Sequence, residues 1–294
     1  MSTASPGQAA PMRKAGVPAR HYPAILLPAA ALIVFFVVPF GIMVMVSFFR
    51  PVPGGFYQPT FVFDNYRRFL SAFFTHVLGF SFLLAAMVAT LSVTIAFPFT
   101  YLLTRSARKV QIAWLVLLLA VLSLSEVIIG FAWGTLLSQT AGITNLLVAL
   151  GLMDRPTSLT PSFGALLIAL VYQALPYSVL VLYPSLSRLD PFLTEAARTL
   201  GASPVRSFID VTVPGQRRTI VTAGIMVFVF SLGSYLLPQI LGRPQHWTLS
   251  VMITDQGISK SNMPFASAMA VFLVLVTLVL IGLVSLLGSE RGRA

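Results

Sequence analysis

Few side chains in this sequence stand at spacings that support chemistry. Its lysines, Lys14, Lys109 and Lys260, follow Arg13, Arg108 and Ser259, so no Gly-Lys pair exists and a phosphate-cradling P-loop is absent. ATP hydrolysis by that route is therefore excluded for the chain itself. His21, His76 and His246 lie far apart without an acid at ligand spacing, which argues against a metal site. No Gly-x-Ser-x-Gly turn occurs, and there is no cysteine, hence no thiol nucleophile, thiolate metal site or disulfide.

Glu126 is the exception, an ionisable residue well inside an apolar run. Such groups are costly in a membrane and commonly face a cavity or a partner. With Ser123, Ser125 and Trp133 nearby, its carboxylate suits a path for a cationic amine. Tyr172, Gln173, Ser231, Ser234, Tyr235 and Gln239 are the other polar candidates for that path. Two alternatives stay open. Glu126 can lie nearer the outer interface or pair with a basic residue of a partner subunit, and the polar stripe can be glue between helices.

The elements that must position these residues are apolar helices. The chain has 294 residues, 57% hydrophobic and 9% charged, whereas soluble domains carry roughly a quarter charged residues. Runs near Ala24–Phe49, Val77–Thr104, Gln111–Leu137, Phe163–Pro184, Thr219–Leu241 and Phe265–Leu287 each suffice to cross a hydrocarbon core of about 30 Å. Backbone amides in lipid must be satisfied internally, so these are read as six transmembrane helices of an all-α membrane protein. The first run is too long for a signal-peptide core and is read as a retained helix. Residues 1–22 are expected to be a cytoplasmic tail, 23–289 the membrane domain and 290–294 a second cytoplasmic tail. Pro98, Pro176 and Pro238 predict kinks.

The net charge of +11 records topology rather than nucleic-acid binding. With both termini inside, the inside segments hold thirteen basic residues, among them Arg105, Arg108, Lys109 and Arg198, against six outside. The expected outside loops are 50–76, 138–162 and 242–264, and the inside loops 105–110 and 185–218. FVFDNYRRFLSAFF in the first outside loop reads as an amphipathic interfacial helix.

The longer inside loop, 185–218, carries a charged, helix-forming island. Asp190-Pro191 is a strong helix start, and Gly201 sits where a left-handed C-terminal cap belongs. Ser203-Pro204 starts a second short helix over Val205 to Val213, which Pro214 is expected to stop. Glu195-Ala196-Ala197 offers a flat, small-residue face on which a partner could close. The alternative is a pair of helices lying on the inner leaflet.

Glu195-Ala196-Ala197-x-x-x-Gly201, followed by Val211-x-Val213-Pro214, resembles the EAA loop of bacterial ABC importer permeases. It departs from that pattern only by valines in place of Ile and Leu. Ala132-Trp133, the AGITNLLVALGLMDRP and LVYQALPYSVLVLYPSLSRLDPFLTEAARTLGAS segments, and SLGSYLLPQILG are similar to spermidine/putrescine-type permeases. The Arg and Tyr that often accompany the Ala-Trp pair there stand here as Ile129 and Phe131.

This resemblance implies a type I ABC importer permease in the bacterial cytoplasmic (inner) membrane, both termini cytoplasmic, importing a small, polyamine-like solute. Related members of that group handle iron, sulfate or thiosulfate, phosphonates and opine-like compounds. Glu195, Ala196, Ala197, Gly201, Val211 and Pro214 would couple to the ATPase. The chain would bind no cofactor, ATP and Mg being held by the partner. Its partners would be a second, non-identical permease chain, two ATPase subunits, a periplasmic solute-binding protein and membrane lipid, with no nucleic acid. The competing class is a self-contained secondary carrier or channel, for which paired ionisable groups or discontinuous helices midway through the membrane are expected.

Overall fold

A computed structural model describes residues 22–52, 57–140 and 142–290. Apart from Tyr22 and Glu290, both expected tails lie outside the described residues, as does part of the Pro51–Gly55 turn. Among the described residues there is no strand, only an isolated bridge between Arg50 and Gln58. The chain divides into two compact units, residues 1–45 and 46–294. In the first, helix α1 (Tyr22–Val46) is apolar and continuous through Pro28 and Pro39.

The second unit opens with α2 (Asp64–Phe69) and α3 (Ala72–Thr104). The expected interfacial helix is thus only six residues long, because the chain breaks at Leu70-Ser71. The next helix then starts well before Val77, and its 33 residues run unbroken through Pro98. After α4 (Arg108–Leu122), α5 (Glu126–Leu136) and α6 (Ile143–Ala149) comes α7 (Phe163–Leu186), unbroken through Pro176 and Pro184. The island supplies α8 (Pro191–Thr199), α9 (Pro204–Ser207) and α10 (Val213–Gly215). Then follow α11 (Arg217–Gly233), α12 (Leu236–Leu241), α13 (Leu249–Thr254) and α14 (Met263–Glu290).

Helices α3, α7 and α11 form the centre of this unit. Small residues let their backbones approach: Ala85, Ala89 and Ala96 on α3, Ala169 and Ala174 on α7, and Ala223 on α11 are all buried. Leu84, Val88, Leu166, Leu170 and Val227 fill the space between them. A separate aromatic cluster, Phe69, Phe74 and Phe265 with Met269, joins α2 and α3 to α14.

Ala72–Thr104, Phe163–Leu186 and Met263–Gly282 are long and apolar enough to cross a membrane, and α4 with α5 makes a fourth if the bent pair is one span. Two of the runs read as single spans are interrupted. Gln111–Leu137 breaks after Leu122 and resumes at Glu126, with 97° between the halves. Thr219–Leu241 breaks after Gly233. These breaks create the site described next.

Candidate functional site

The first break is built from serines. Ser123 ends α4, its hydroxyl donating back to the Leu119 carbonyl at 3.0 Å. Ser125 turns extended and caps α5, accepting the Val127 N–H at 3.3 Å. Serine side chains compete with the helical ladder for backbone partners, which favours an end and a new start here. Glu126 occupies the first turn of the new helix, where a carboxylate lies favourably against the exposed N–H groups.

The second break has its cause at Pro238. Proline lacks the N–H that would serve the carbonyl four residues earlier and clashes with it, and that carbonyl is Ser234's. The start of α13 supplies donors here: Thr248 Oγ1, at its N-cap, reaches the Ser234 carbonyl at 3.5 Å, and Ser250 Oγ donates to the neighbouring Leu232 carbonyl. Irregular backbone inside an apolar bundle is tolerated when neighbours re-satisfy it in this way.

The two breaks meet at Glu126. Gln173 Nε2, midway along α7, donates to Glu126 Oε1 at 3.0 Å, and Ser234 Oγ donates to the same oxygen at 3.3 Å. Glu126 is half-buried, whereas Gln173 and Ser234 are buried. Among the described residues its partners are neutral and no basic side chain pairs with it. Gln173 Oε1 and Ser231 Oγ are buried without a hydrogen-bond partner. Trp133 and Tyr172 form an edge-to-face pair at 5.6 Å. With Leu124, Ile128, Ile129, Ala132 and Leu136 they line an apolar cavity of about 250 Å³. Tyr235 and Gln239 are exposed and do not join the cluster. Sequence reasoning missed Gly130, which lets α5 sit against α12: a Cβ there would lie 3.0 Å from Ile240 Cδ1.

On the island, α8 forms as expected. Asp190 accepts the Phe192 N–H at 3.0 Å with Pro191 in the first turn. Gly201 adopts φ +90°, so that its own N–H reaches the Arg198 carbonyl and the Ala202 N–H the Ala197 carbonyl, both at 3.0 Å. That pairing satisfies the last carbonyls of α8 and favours glycine at the left-handed position. Ser203 caps α9, accepting the Arg206 N–H at 3.2 Å. The buried Ser207 hydroxyl ties α9 to the Thr194 carbonyl of α8 at 3.2 Å.

The second island helix departs from expectation at Pro214. It does not stop the chain: residues 208–212 widen into a π-helical turn and helix continues to Gly215. Proline's missing donor and ring clash are absorbed by the wider turn. Val211 is half-buried and Pro214 exposed. Phe208 anchors this segment, its ring 5.5 Å from Phe97 and 4.7 Å from Tyr101 of α3. On the open side, Glu195 and Ala196 are exposed, together with Phe192, Leu193, Leu200, Val205 and Ile209.

No family model matches the chain. It is 30% identical over 246 residues to the spermidine/putrescine transport system permease protein PotB of Salmonella typhimurium (strain SL1344), covering 83% of this chain and 85% of that protein. PotB of Escherichia coli (strain K12) is 29% identical over 246 residues, covering 83% of this chain and 89% of that protein. The fold is shared with the solved bacterial alginate ABC transporter in complex with its alginate pentasaccharide-bound periplasmic protein, at TM-score 0.72 and 18% identity over 94% of this chain and 96% of that one. Discontinuous helices, the feature expected of the carrier alternative, thus occur here in a chain whose relatives are transport-system permeases. The chain belongs to the ABC importer permease family that includes PotB.

Proposed function

We propose that this chain is the membrane-spanning subunit of a binding-protein-dependent ABC importer for a small, polyamine-like solute. It crosses the inner membrane six times with both ends cytoplasmic, α1, the bent α4–α5 pair and the broken α11–α12 pair each serving as one crossing. It works beside a second, non-identical permease chain, receives solute from a periplasmic binding protein, and draws on two ATPase subunits that hold ATP and Mg.

The observation that carries this reading is the island. An exposed, capped element presenting Phe192, Leu193, Leu200, Val205 and Ile209 around Glu195-Ala196-Ala197 is an apolar surface rimmed by charge, a feature that marks interaction sites. Its other side is fixed to α3 through Phe208, so force applied at Glu195 and Gly201 would pass into the bundle. Closure of two ATPase subunits would draw such islands together and swing the spans between their open states.

The test is ATPase activity of the assembled complex in lipid, with and without loaded binding protein, for wild type and the Glu195→Ala/Gly201→Asp double variant. Stimulation that disappears in the assembled variant supports coupling through the island. The helix breaks at Glu126 favour a second reading, a self-contained carrier. That reading takes over if no ATPase co-purifies and transport persists in the double variant.

A further inference from the structure

We propose that Glu126 and Gln173 form a docking site for a single alkylammonium group within the bundle, with Ser234 positioning the carboxylate. The inference rests on the solute passing through this chain, as proposed above, and adds where it is read and by what chemistry.

The argument begins with what is unsatisfied. Gln173 gives its N–H to Glu126 Oε1 yet leaves its own Oε1 buried without a donor. Ser231, one turn before Ser234 on α11, leaves a buried hydroxyl without a partner. Buried polar groups are nearly always paired, so an orphan calls for a reason. Among the described residues, Glu126 Oε2 also accepts no hydrogen bond. Ser231 can donate or accept, but Glu126 Oε2 and Gln173 Oε1 can only accept, and their companion atoms are already joined at 3.0 Å, so the need of this pair is for donors. The complement of such a pair is a cation with several N–H donors. Charge-assisted hydrogen bonds to a carboxylate are the stronger kind.

An apolar cavity lined by chain neighbours of Glu126 and Gln173, though not by those two residues themselves, favours a cation carrying an aliphatic chain. Leu124 and Ile129, which flank Glu126 in sequence, line the cavity of about 250 Å³ together with Tyr172, the neighbour of Gln173. Its walls are apolar apart from the Trp133–Tyr172 pair, whose ring faces attract cations and accept methylenes alike. A hydrated inorganic cation finds too few oxygens there, and an anion meets the carboxylate. The site thus rejects solutes by charge at the point where both broken helices converge. Gln173 Oε1 is buried in this structure, so binding through it requires that atom to become accessible.

The test is equilibrium binding of labelled putrescine to the full chain in lipid nanodiscs, in wild type and in Glu126→Gln, which keeps an acceptor for Gln173 and Ser234. Loss of a charge-assisted hydrogen bond predicts affinity weakened about ten-fold or more with only a small fall in melting temperature. Competition on wild type gives the second readout: n-butylammonium displaces the label, while sodium at equal ionic strength and 1-butanol do not. Equal affinity of wild type and Glu126→Gln overturns the site, as does displacement by sodium, which would make it an inorganic cation site. If Glu126→Gln melts early, the competition series decides alone. Binding here needs no ATP. ATPase coupling that survives while binding ignores Glu126 overturns the site alone, and binding that follows Glu126 in a chain that recruits no ATPase overturns the importer reading alone.

Discussion

Glu126 Oε1 and Gln173 Nε2 lie 3.0 Å apart across 47 residues of sequence, and the same oxygen takes the Ser234 hydroxyl from 108 residues away. One oxygen therefore ties α5 to α7 and to the junction of α11 with α12. Because the donors are buried, removing their acceptor should cost more than the bonds are worth. Glu126→Leu strands an amide and a hydroxyl and is expected to destabilise the chain by about 1–3 kcal/mol. Glu126→Gln, which keeps a carbonyl oxygen in place, should cost less than about 1 kcal/mol. Thermal unfolding of the full chain in lipid compares them, and identical melting of both variants would show that the bonds contribute nothing.

The approach of α5 to α12 is set by Gly130, where an added Cβ would meet the terminal methyl of Ile240 at 3.0 Å. Overpacking of this kind costs about 1–3 kcal/mol when neighbours cannot yield. Gly130→Ala is expected at the low end, since a side-chain tip can shift. Ile240→Val removes that methyl, so the double variant should be more stable than the two single losses added together. Simple additivity in unfolding measurements would mean that the two positions do not touch.

Within the island, the left-handed Gly201 and the Asp190 cap hold opposite ends of α8. Gly201→Ala forces a Cβ into φ +90° and should cost about 1–2 kcal/mol. Asp190→Ala should cost about 1 kcal/mol through the lost cap. Both penalties fall on one short exposed helix, so the expected readout is faster hydrogen exchange over 191–200 with the exchange of α3 and α7 unchanged. Faster exchange throughout the bundle would instead make the island part of the core.

Local chemistry made much of this fold legible. The α8 cap, the Gly201 turn and the Ser203 start each depend on residues within a few positions of one another, and each formed where the spacing placed it. The apolar runs gave the long helices for the same reason, since α3, α7 and α14 need only composition and length. The breaks were harder to read. Ser123-Leu124-Ser125 sits inside a run whose hydropathy alone predicts one helix, and Pro238 acts four residues away from itself, at Ser234. The donors that make the second break tolerable, Thr248 and Ser250, come from another helix and leave no trace near Pro238. Glu126, Gln173 and Ser234 were legible as polar residues in apolar runs, but their meeting depends on both breaks. Tyr235, read in the same stripe, is exposed and lies between the end of α11 and the start of α12.

His246 offers a prediction with a pH axis, at the end of the bundle opposite the island. Its ring stacks on Phe80 at 6.0 Å and meets Phe163 edge-on at 5.7 Å, joining α3 to α7. Its Nδ1 accepts the Arg243 backbone N–H at 3.3 Å, which requires that nitrogen to be unprotonated. Burial, and then the Arg243 charge beside it, hold its pKa below the ordinary 6.5. The folded state thus favours the neutral ring, and the unfolded chain binds the proton first. Its contribution is present above pH 6.5 and is lost as pH falls through the lower folded value. His246→Phe keeps the aromatic contacts and removes the titration. Between about pH 7.5 and about pH 5 the melting temperature of wild type should therefore fall further than that of the variant. Parallel curves would assign the pH dependence to other groups and leave His246 a packing residue only.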